Sequence, residues 1–445
     1  MSFVNKSALV TGGTGGIGAA ICEEFLKEGI IHLAALDLYS EEPKIVNEWR
    51  RQFPGVSIKY FKVDVTSQEY LKKCYAEFTE DIENLDIVVN CAGIMDENLH
   101  RKTVEVNLCG VIGSTFVALD HMRIDKFKGK GGAIVNISSI SGVQPLSIMP
   151  TYAASKQAVI TFTRCLAHGR NSMGIKFLTL CPGGTQTNLV KECFNKGHFY
   201  ETDTNTIEKL RSSYQMQSAL VTGGTGAIGA AICEEFLKNG VAHLAALDLS
   251  SEEPKIVHEW RKNFPKATIK YYQVDVSSDE ALRKCYSDFT KGIQSLDIVV
   301  NCAGILNERV YRKVIEINLC GTIGSTLIAL EYMRMDNGKG KGGMILNVAS
   351  TAGLVPMSAV PSYCASKHGV VAFTRALAFE RDYMGIKFFL ICPSSTQSQL
   401  YEQCFIASAV GEGVIKILKE GKSGSVWLSE DYKITEVTDI PVMEW

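Results

Sequence analysis

The chain states its plan twice, 211 residues apart. Ser7-Ala8-Leu9-Val10-Thr11-Gly12-Gly13-Thr14-Gly15 returns as Ser218-Ala219-Leu220-Val221-Thr222-Gly223-Gly224-Thr225-Gly226, and the offset holds without insertion or deletion to Phe194 and Phe405. A repeat this long exceeds the ~20–50-residue periods of solenoids. It describes two duplicated domains, assigned to residues 1–214 and 215–445. Wherever the copies differ, each serves as a control on the other.

The 445 residues give each copy enough chain for a core of its own. With 46% hydrophobic residues, 21% charged and a net charge of -2, nothing draws the chain to nucleic acid or an acidic membrane. Neither partner is expected. The first apolar run, Ala8-Leu9-Val10, stops at a glycine loop, which leaves no room for a secretory signal. No uninterrupted apolar run reaches the ~18 residues of a membrane span. The 14 cysteines lack metal-site spacing such as C-x-x-C, and many sit in apolar runs. They read as buried, reduced thiols, and a cytoplasmic location is expected.

Short β-rich runs alternate with longer amphipathic stretches, the pattern of βαβ units on a parallel sheet. In the first copy, strands are expected at Ser7–Thr11, His32–Asp37, Ser57–Asp64, Ile87–Asn90, Ala133–Ser138 and Lys176–Cys181, with a helix over Ala19–Gly29. The fold class is therefore α/β: two tandem Rossmann-type, doubly wound parallel-sheet domains. The copies part after Phe194 and Phe405. The first continues through a polar stretch, Asn195–Gln217, that the second mostly omits. The second ends in a helix-like Ala409–Glu420 and a strand-like Ser425–Leu428 that the first lacks. That loss should expose a sheet edge and apolar side chains in the first copy.

Thr11-Gly12-Gly13-Thr14-Gly15-Gly16-Ile17-Gly18 follows a strand and opens a helix. Glycines let the backbone approach a pyrophosphate, and the helix N-terminus supplies unpaired N–H groups. Asp37 follows 19 residues after Gly18 at the end of the next strand. A carboxylate there accepts bonds from both ribose hydroxyls of NAD and repels the 2′-phosphate of NADP. NAD is the expected cofactor, held by Gly12, Gly16, Ile17, Gly18 and Asp37. The second copy repeats this with Gly223, Gly229 and Asp248, although Ala227 replaces Gly16. Asp64-Val65 and Asp275-Val276 end the third strand, where the aspartate either takes the adenine amino group or caps the next helix.

Tyr152 and Lys156 stand four apart, on one face of a helix. A phenol of pKa about 10 is a poor base at neutral pH, and a nearby ammonium favours its phenolate. Ser139, 13 residues before Tyr152, can hydrogen-bond a substrate oxygen. Ile140, Val143, Leu146 and Met149 lie between them, as do Leu354, Val355, Met357 and Val360 in the second copy. They suit an apolar alcohol or ketone, or equally an ordinary core.

Together Thr11-Gly12-x-x-x-Gly16-Ile17-Gly18, Asn90-Cys91-Ala92-Gly93, Asn107, Ser139, Tyr152, Lys156 and Pro182-Gly183 resemble the short-chain dehydrogenase/reductase family. The second copy carries Asn301-Cys302-Ala303-Gly304, Asn318, Ser350, Tyr363 and Lys367. Within the family the chain is most similar to the insect-type alcohol dehydrogenase and 15-hydroxyprostaglandin dehydrogenase branches, the latter through Tyr363-Cys364-Ala365-Ser366-Lys367-His368-Gly369. The resemblance implies that Tyr152 is the general base in alcohol oxidation and that Lys156 holds the nicotinamide ribose. It implies that Ser139 orients the substrate oxygen and that Asn107 holds a proton-relay water. Asn90, Ala92 and Gly93 would line the cofactor path, with Pro182, Gly183 and Thr187 by the carboxamide and pyrophosphate. The same roles pass to Asn318, Ser350, Tyr363 and Lys367, with Asn301, Gly304 and Pro393 beside the cofactor. Ser394 replaces Gly183 and would be strained if that position demands glycine. Ser398 stands in for Thr187.

Two functions compete at this point. One is an NAD-dependent alcohol dehydrogenase acting on a small-molecule alcohol or carbonyl compound, with at least the first copy active. The other is a partly or wholly inactive tandem protein serving as a nucleotide-binding or interaction module. Pairing of the two copies as an internal pseudo-dimer, or of two chains as a homodimer, is expected from the family.

Overall fold

The fully apolar runs become central strands because both of their faces are covered, as parallel sheets require. The computed structural model describes residues 3–125, 129–168, 171–182, 217–336, 338–378, 384–394, 416, 426–430 and 433–436. In the first repeat β1 (Ser7–Thr11), β2 (His32–Asp37), β3 (Ser57–Lys62), β4 (Ile87–Asn90), β5 (Gly132–Ile137) and β6 (Ile175–Leu180) form one parallel sheet. Its order is β3-β2-β1-β4-β5-β6, the doubly wound arrangement whose winding reverses between β1 and β4. Side chains alternate across β1: Ala8 and Val10 join Leu33 and Trp49 in one core cluster, while Leu9 joins Leu36 and Tyr75 in another. Helices α1 (Gly16–Lys27), α2 (Lys44–Gln52), α3 (Gln68–Thr79), α4 (His100–Val104), α5 (Val111–Met122) and α6 (Pro150–Ala167) complete the unit. Helix α1 begins earlier than its apolar pattern suggests, because Gly15 is extended (φ -80°, ψ 167°) and hands the loop straight into the first turn. Between α4 and α5 a π-helical turn, Glu105–Gly110, carries Asn107, a kind of distortion common at functional sites.

The second repeat has β7 (Ser218–Thr222), β8 (His243–Asp248), β9 (Thr268–Gln273), β10 (Ile298–Asn301), β11 (Gly343–Val348), β12 (Ile386–Pro393), β13 (Val426–Glu430) and β14 (Lys433–Glu436). Its sheet runs β9-β8-β7-β10-β11-β12-β13-β14. Strand β13 is the expected closing strand, parallel to β12. At its edge β14 returns antiparallel to β13. Helices α7 (Ala227–Lys238), α8 (Lys255–Asn263), α9 (Asp279–Thr290), α10 (Tyr311–Ile315), α11 (Thr322–Met333) and α12 (Pro361–Ala378) repeat the first set. The expected helix Ala409–Glu420 lies outside the described residues, Lys416 apart.

Among the described residues β6 is an edge, and Leu178 and Leu180 are 51% and 50% exposed, whereas their counterparts Phe389 and Ile391 on β12 are 0% exposed. Two helical stretches, His100–Met122 and Glu308–Met333, are apolar and long enough on composition to cross a membrane. The apolar window of each is mostly buried, 83% and 78%, as in the core helices of a folded domain. The twelve described cysteines are free thiols.

Candidate active site

The glycine turn is built by close backbone contact. Gly12 sits at φ +64°, and a Cβ on it would lie 2.8 Å from Ala92 Cα. A Cβ on Gly18 would meet the Gly12 carbonyl oxygen at 2.0 Å, so only glycine fits there. Gly223 and Gly229 repeat both constraints, with φ +64° and the same 2.0 Å clash. Ala227 takes the first residue of its helix after an extended Gly226, the same place as Gly16, so its methyl is accommodated without altering the turn.

A cleft of about 400 Å³ opens over this turn in the first unit. Its wall holds Gly12, Gly16, Ile17 and Gly18, then Asp37 at one end, Asp64 and Val65, Ala92 and Gly93, and finally Tyr152 and Lys156. The Asp37 carboxylate is already oriented: Oδ2 accepts from the Thr14 amide (3.1 Å) and hydroxyl (2.7 Å), and Oδ1 from the Leu38 amide (2.9 Å). Asp248 accepts from Thr225 in the same way, at 3.1 and 2.6 Å. Asp64 stands at the turn before α3 and on the cleft wall. Its Oδ1 braces the turn before α3 through Thr66 at 2.9 and 2.7 Å, Ser67 is the actual helix cap, and the residue still faces the cleft. Asp275 braces Ser277 likewise, at 2.9 and 2.6 Å, and is followed by Val276.

Tyr152 and Lys156 lie in the first half of α6, 8% and 4% exposed, with Lys156 Nζ 5.6 Å from the tyrosine ring centre. Nζ donates to the Ile137 carbonyl at 3.1 Å. Burial away from solvent lowers the Lys156 pKa from 10.5 to about 8, and Lys367, bonded to the Val348 carbonyl at 3.0 Å, is lowered to about 8 by the same cause. A Cβ on Gly93 would stand 3.2 Å from Asn107 Oδ1 and 3.4 Å from Lys156 Nζ. On Gly304 it would stand 3.3 Å from Asn318 Oδ1 and 3.4 Å from Lys367 Nζ. The two copies therefore hold this part of the site alike. Tyr363 is placed four residues before Lys367 on α12.

A depressed lysine pKa costs stability while the ammonium is buried. The unfolded chain binds the extra proton between the folded value, about 8, and the ordinary 10.5, so that cost is full below pH 8 and fades as pH rises to 10.5. Lys156→Met is therefore expected to stabilise the cofactor-free chain at pH 7, by up to about 3 kcal/mol. The gain over wild type should shrink toward pH 10. Paired thermal melts of the two proteins across this range check it, and a pH-independent difference contradicts the assignment.

Several predicted residues are not part of the cleft wall. Asn90 is 1% exposed and its amide donates to Thr115 (3.1 Å) and Asn136 (2.7 Å), while Asn136 donates to Thr163 (2.9 Å). It braces the sheet against the helices behind it rather than lining the cofactor path, and Asn301 does the same through Thr326 and Asn347. The Asn107 side chain ties the loop after β4 to α6: Nδ2 donates to the Ile94 carbonyl (2.8 Å) and Ser155 (3.1 Å), and Oδ1 accepts from the Ile94 amide (2.8 Å). Asn318 does so through Ile305 and Ser366. Ser139, 8% exposed, accepts from the Ser141 amide (3.1 Å), as Ser350 does from Ala352 (3.2 Å). Ser138 anchors the Lys156 carbonyl at 2.8 Å, and the Pro182 carbonyl accepts from Ile140 at 2.9 Å. Pro393 ends β12. Gly183, Thr187 and Ser398 lie outside the described residues. Ser394 escapes the strain expected of it, because Asn5 is the one described non-glycine residue with positive φ. Of the residues before Tyr152, Met149 is buried while Ile140 and Leu146 are 43% and 42% exposed, so these two are not core.

Two residues that matter were missed from the sequence. Thr14 orients Asp37. Glu97, 3% exposed, accepts from the backbone amides of Thr151 and Tyr152 at 2.9 Å each. The duplication held a signal for the second: between residues 94 and 104 the copies agree only at Ile94, Glu97, Arg101 and Lys102.

The family sequence model described as short chain dehydrogenase matches residues 6–197 and again 217–406. The chain belongs to this family. Among its relatives, the rat (Rattus norvegicus) 15-hydroxyprostaglandin dehydrogenase [NAD(+)] is 37% identical over 231 residues, covering 50% of this chain and 86% of that protein. The human enzyme of that name is 37% identical over 230 residues, with the same coverages of 50% and 86%. Alcohol dehydrogenase 1 of Ceratitis cosyra is 33% identical over 215 residues, covering 48% and 82%. A solved structure titled ElxO with NADP bound aligns at 23% identity and a TM-score of 0.44, covering 48% of this chain and 97% of that one. As a short chain dehydrogenase family member with dehydrogenase relatives, the protein is an oxidoreductase.

Proposed function

We propose that the chain is an NAD-dependent alcohol dehydrogenase that interconverts an alcohol, secondary and apolar, with its carbonyl compound, and that at least the first repeat turns over. One observation carries the reading: a single cleft runs from Asp37, across a turn only glycine can build, to Tyr152 and Lys156. That cradle fits a dinucleotide, and relatives with NAD(+) in their names favour the same cofactor. When bound, the nicotinamide supplies the hydride acceptor. The Asp37 carboxylate takes the ribose hydroxyls, and Lys156 stands within reach of the other ribose. The Tyr152 phenol oxygen removes the alcohol proton, helped by the ammonium 5.6 Å from its ring. Ser139 orients the substrate oxygen, and the exposed Ile140 beside it offers apolar contact. The matching bonds at Asp248, Asn318 and Lys367 support a second nucleotide site in the second repeat.

The test is NADH formation, followed by absorbance, from NAD and a series of secondary alcohols of increasing chain length, with polyols as controls. Turnover that rises with chain length and is at least about tenfold poorer with NADP is the expected result. NAD binding without turnover on any alcohol or ketone would make the chain a nucleotide-binding module instead.

A further inference from the structure

We propose that Glu97 is a positioning residue for the base of the first repeat, acting through the backbone of the helix that carries it. This deepens the functional reading above and rests on it. The first amides of any helix have no partner inside the helix. In α6 two of them, Thr151 N and Tyr152 N, donate to the two carboxylate oxygens of Glu97, at 2.9 Å each. The second belongs to the proposed base itself. Bonds to an ionised acceptor are short and strong, and a two-pronged contact fixes direction as well as distance. Glu97 is 3% exposed, so water does not compete for it. No cap within the helix needs to be invoked, because the carboxylate arrives from another part of the fold, 54 and 55 residues away in sequence.

The segment Glu97 comes from matters as much as its bonds. It continues the loop after β4, in which Gly93 abuts Asn107 and Lys156, and Ile94 bonds both ways with Asn107. The Asn107 side-chain amide in turn donates to the Ser155 hydroxyl of α6 at 3.1 Å. Helix α6 is thus held twice, at Thr151 and Tyr152 by Glu97 and at Ser155 by Asn107, whose side chain is itself tied to the loop at Ile94. The cofactor turn and Asp37 take no part in these contacts. Loosening Glu97 should therefore shift the phenol relative to a bound alcohol while leaving dinucleotide affinity alone. Misplacement of a reacting group by about 1 Å costs on the order of 100-fold in rate. The duplicated chain keeps a glutamate here, Glu308, in a stretch where the copies otherwise diverge.

The experiment uses the full chain carrying Tyr363→Phe, so that only the first repeat turns over. Into it go Glu97→Gln, which keeps the size but offers one accepting oxygen, and Glu97→Asp, which keeps both oxygens on a shorter stem. Three quantities are read: kcat against alcohol KM, NAD affinity by titration calorimetry, and amide hydrogen exchange resolved along α6. The expected result for Glu97→Gln is a 10- to 100-fold fall in kcat, NAD affinity within twofold, and loss of protection confined to Thr151 and Tyr152. Glu97→Asp should recover most of the lost kcat. A Glu97→Gln protein with wild-type kcat, or one that loses NAD affinity and protection throughout α6, overturns the proposal. If the Tyr363→Phe parent binds NAD but never turns over, the functional reading fails on its own account. Exchange at the two amides then decides the Glu97 contact: unchanged protection overturns it, local loss supports it.

Discussion

Tyr152→Phe removes most of the alcohol-dependent NADH formation by the first repeat, and Tyr152→Phe with Tyr363→Phe removes it from the whole chain. The substitution deletes one oxygen from a residue 8% exposed, so the packed ring stays and the fold with it. Loss of a positioned proton acceptor lowers rates by roughly 10²–10⁴, or about 3–5 kcal/mol of barrier. The residual rate of each single variant then measures the share of the other repeat. The second repeat has the closing strand β13 and the same lysine and asparagine bonds, but lacks most of the stretch that follows Phe194 in the first. The cleft that runs past Tyr152 and Lys156 belongs to the first repeat. The larger loss is therefore expected from Tyr152→Phe. NAD titrations should be unchanged in all three variants, which separates lost chemistry from lost binding. If the double variant keeps more than about a tenth of the wild-type rate, at least one copy turns over without its tyrosine as the base.

Local signals in the sequence carried the two nucleotide turns, the tyrosine–lysine faces and the central strands, because each depends on residues a few positions apart. Gly12, Gly18 and Asp37 need only a strand, a turn and the next strand to come together. What the sequence did not reveal depends on distant partners. Glu97 reaches its amides across more than 50 residues, and Thr14 reaches Asp37 across 23. Asn90 looked like a lining residue from its motif, yet contacts to Thr115 and Asn136 turn it into the sheet. Strand ends show the same limit with a built-in control. Cys181-Pro182 and Cys392-Pro393 are identical, but β6 stops at Leu180 while β12 continues to Pro393, which pairs with Ser429 of β13. The neighbour, not the local residues, sets where that ladder ends.

Asp37→Asn is expected to turn the proposed NAD site of the first repeat into one that discriminates weakly, without touching turnover chemistry. The carboxylate is held by the Thr14 amide and hydroxyl with its remaining acceptor capacity toward the cleft. Bonds from ribose hydroxyls to an ionised acceptor contribute about 1.5–3 kcal/mol each, so losing their charge weakens NAD by on the order of 10²-fold. The same carboxylate repels a 2′-phosphate. At roughly 5 Å and an effective dielectric constant of 20, one negative charge against two is worth about 7 kcal/mol before salt screening. Screening leaves a part of this, and the NAD-over-NADP preference should fall by on the order of 10²–10³. Because Asp248 is untouched, titration should show one tight NAD equivalent per chain where two are expected of the wild type. Thr14→Val supplies the control. It removes the 2.7 Å hydroxyl bond and keeps both the carboxylate charge and the 3.1 Å amide bond. It should weaken NAD by about tenfold or less while NADP stays excluded, since repulsion needs the charge and not its exact aim. Equal NAD and NADP affinities in the wild-type chain, or a Thr14→Val protein that admits NADP as Asp37→Asn does, would remove Asp37 as the source of cofactor choice.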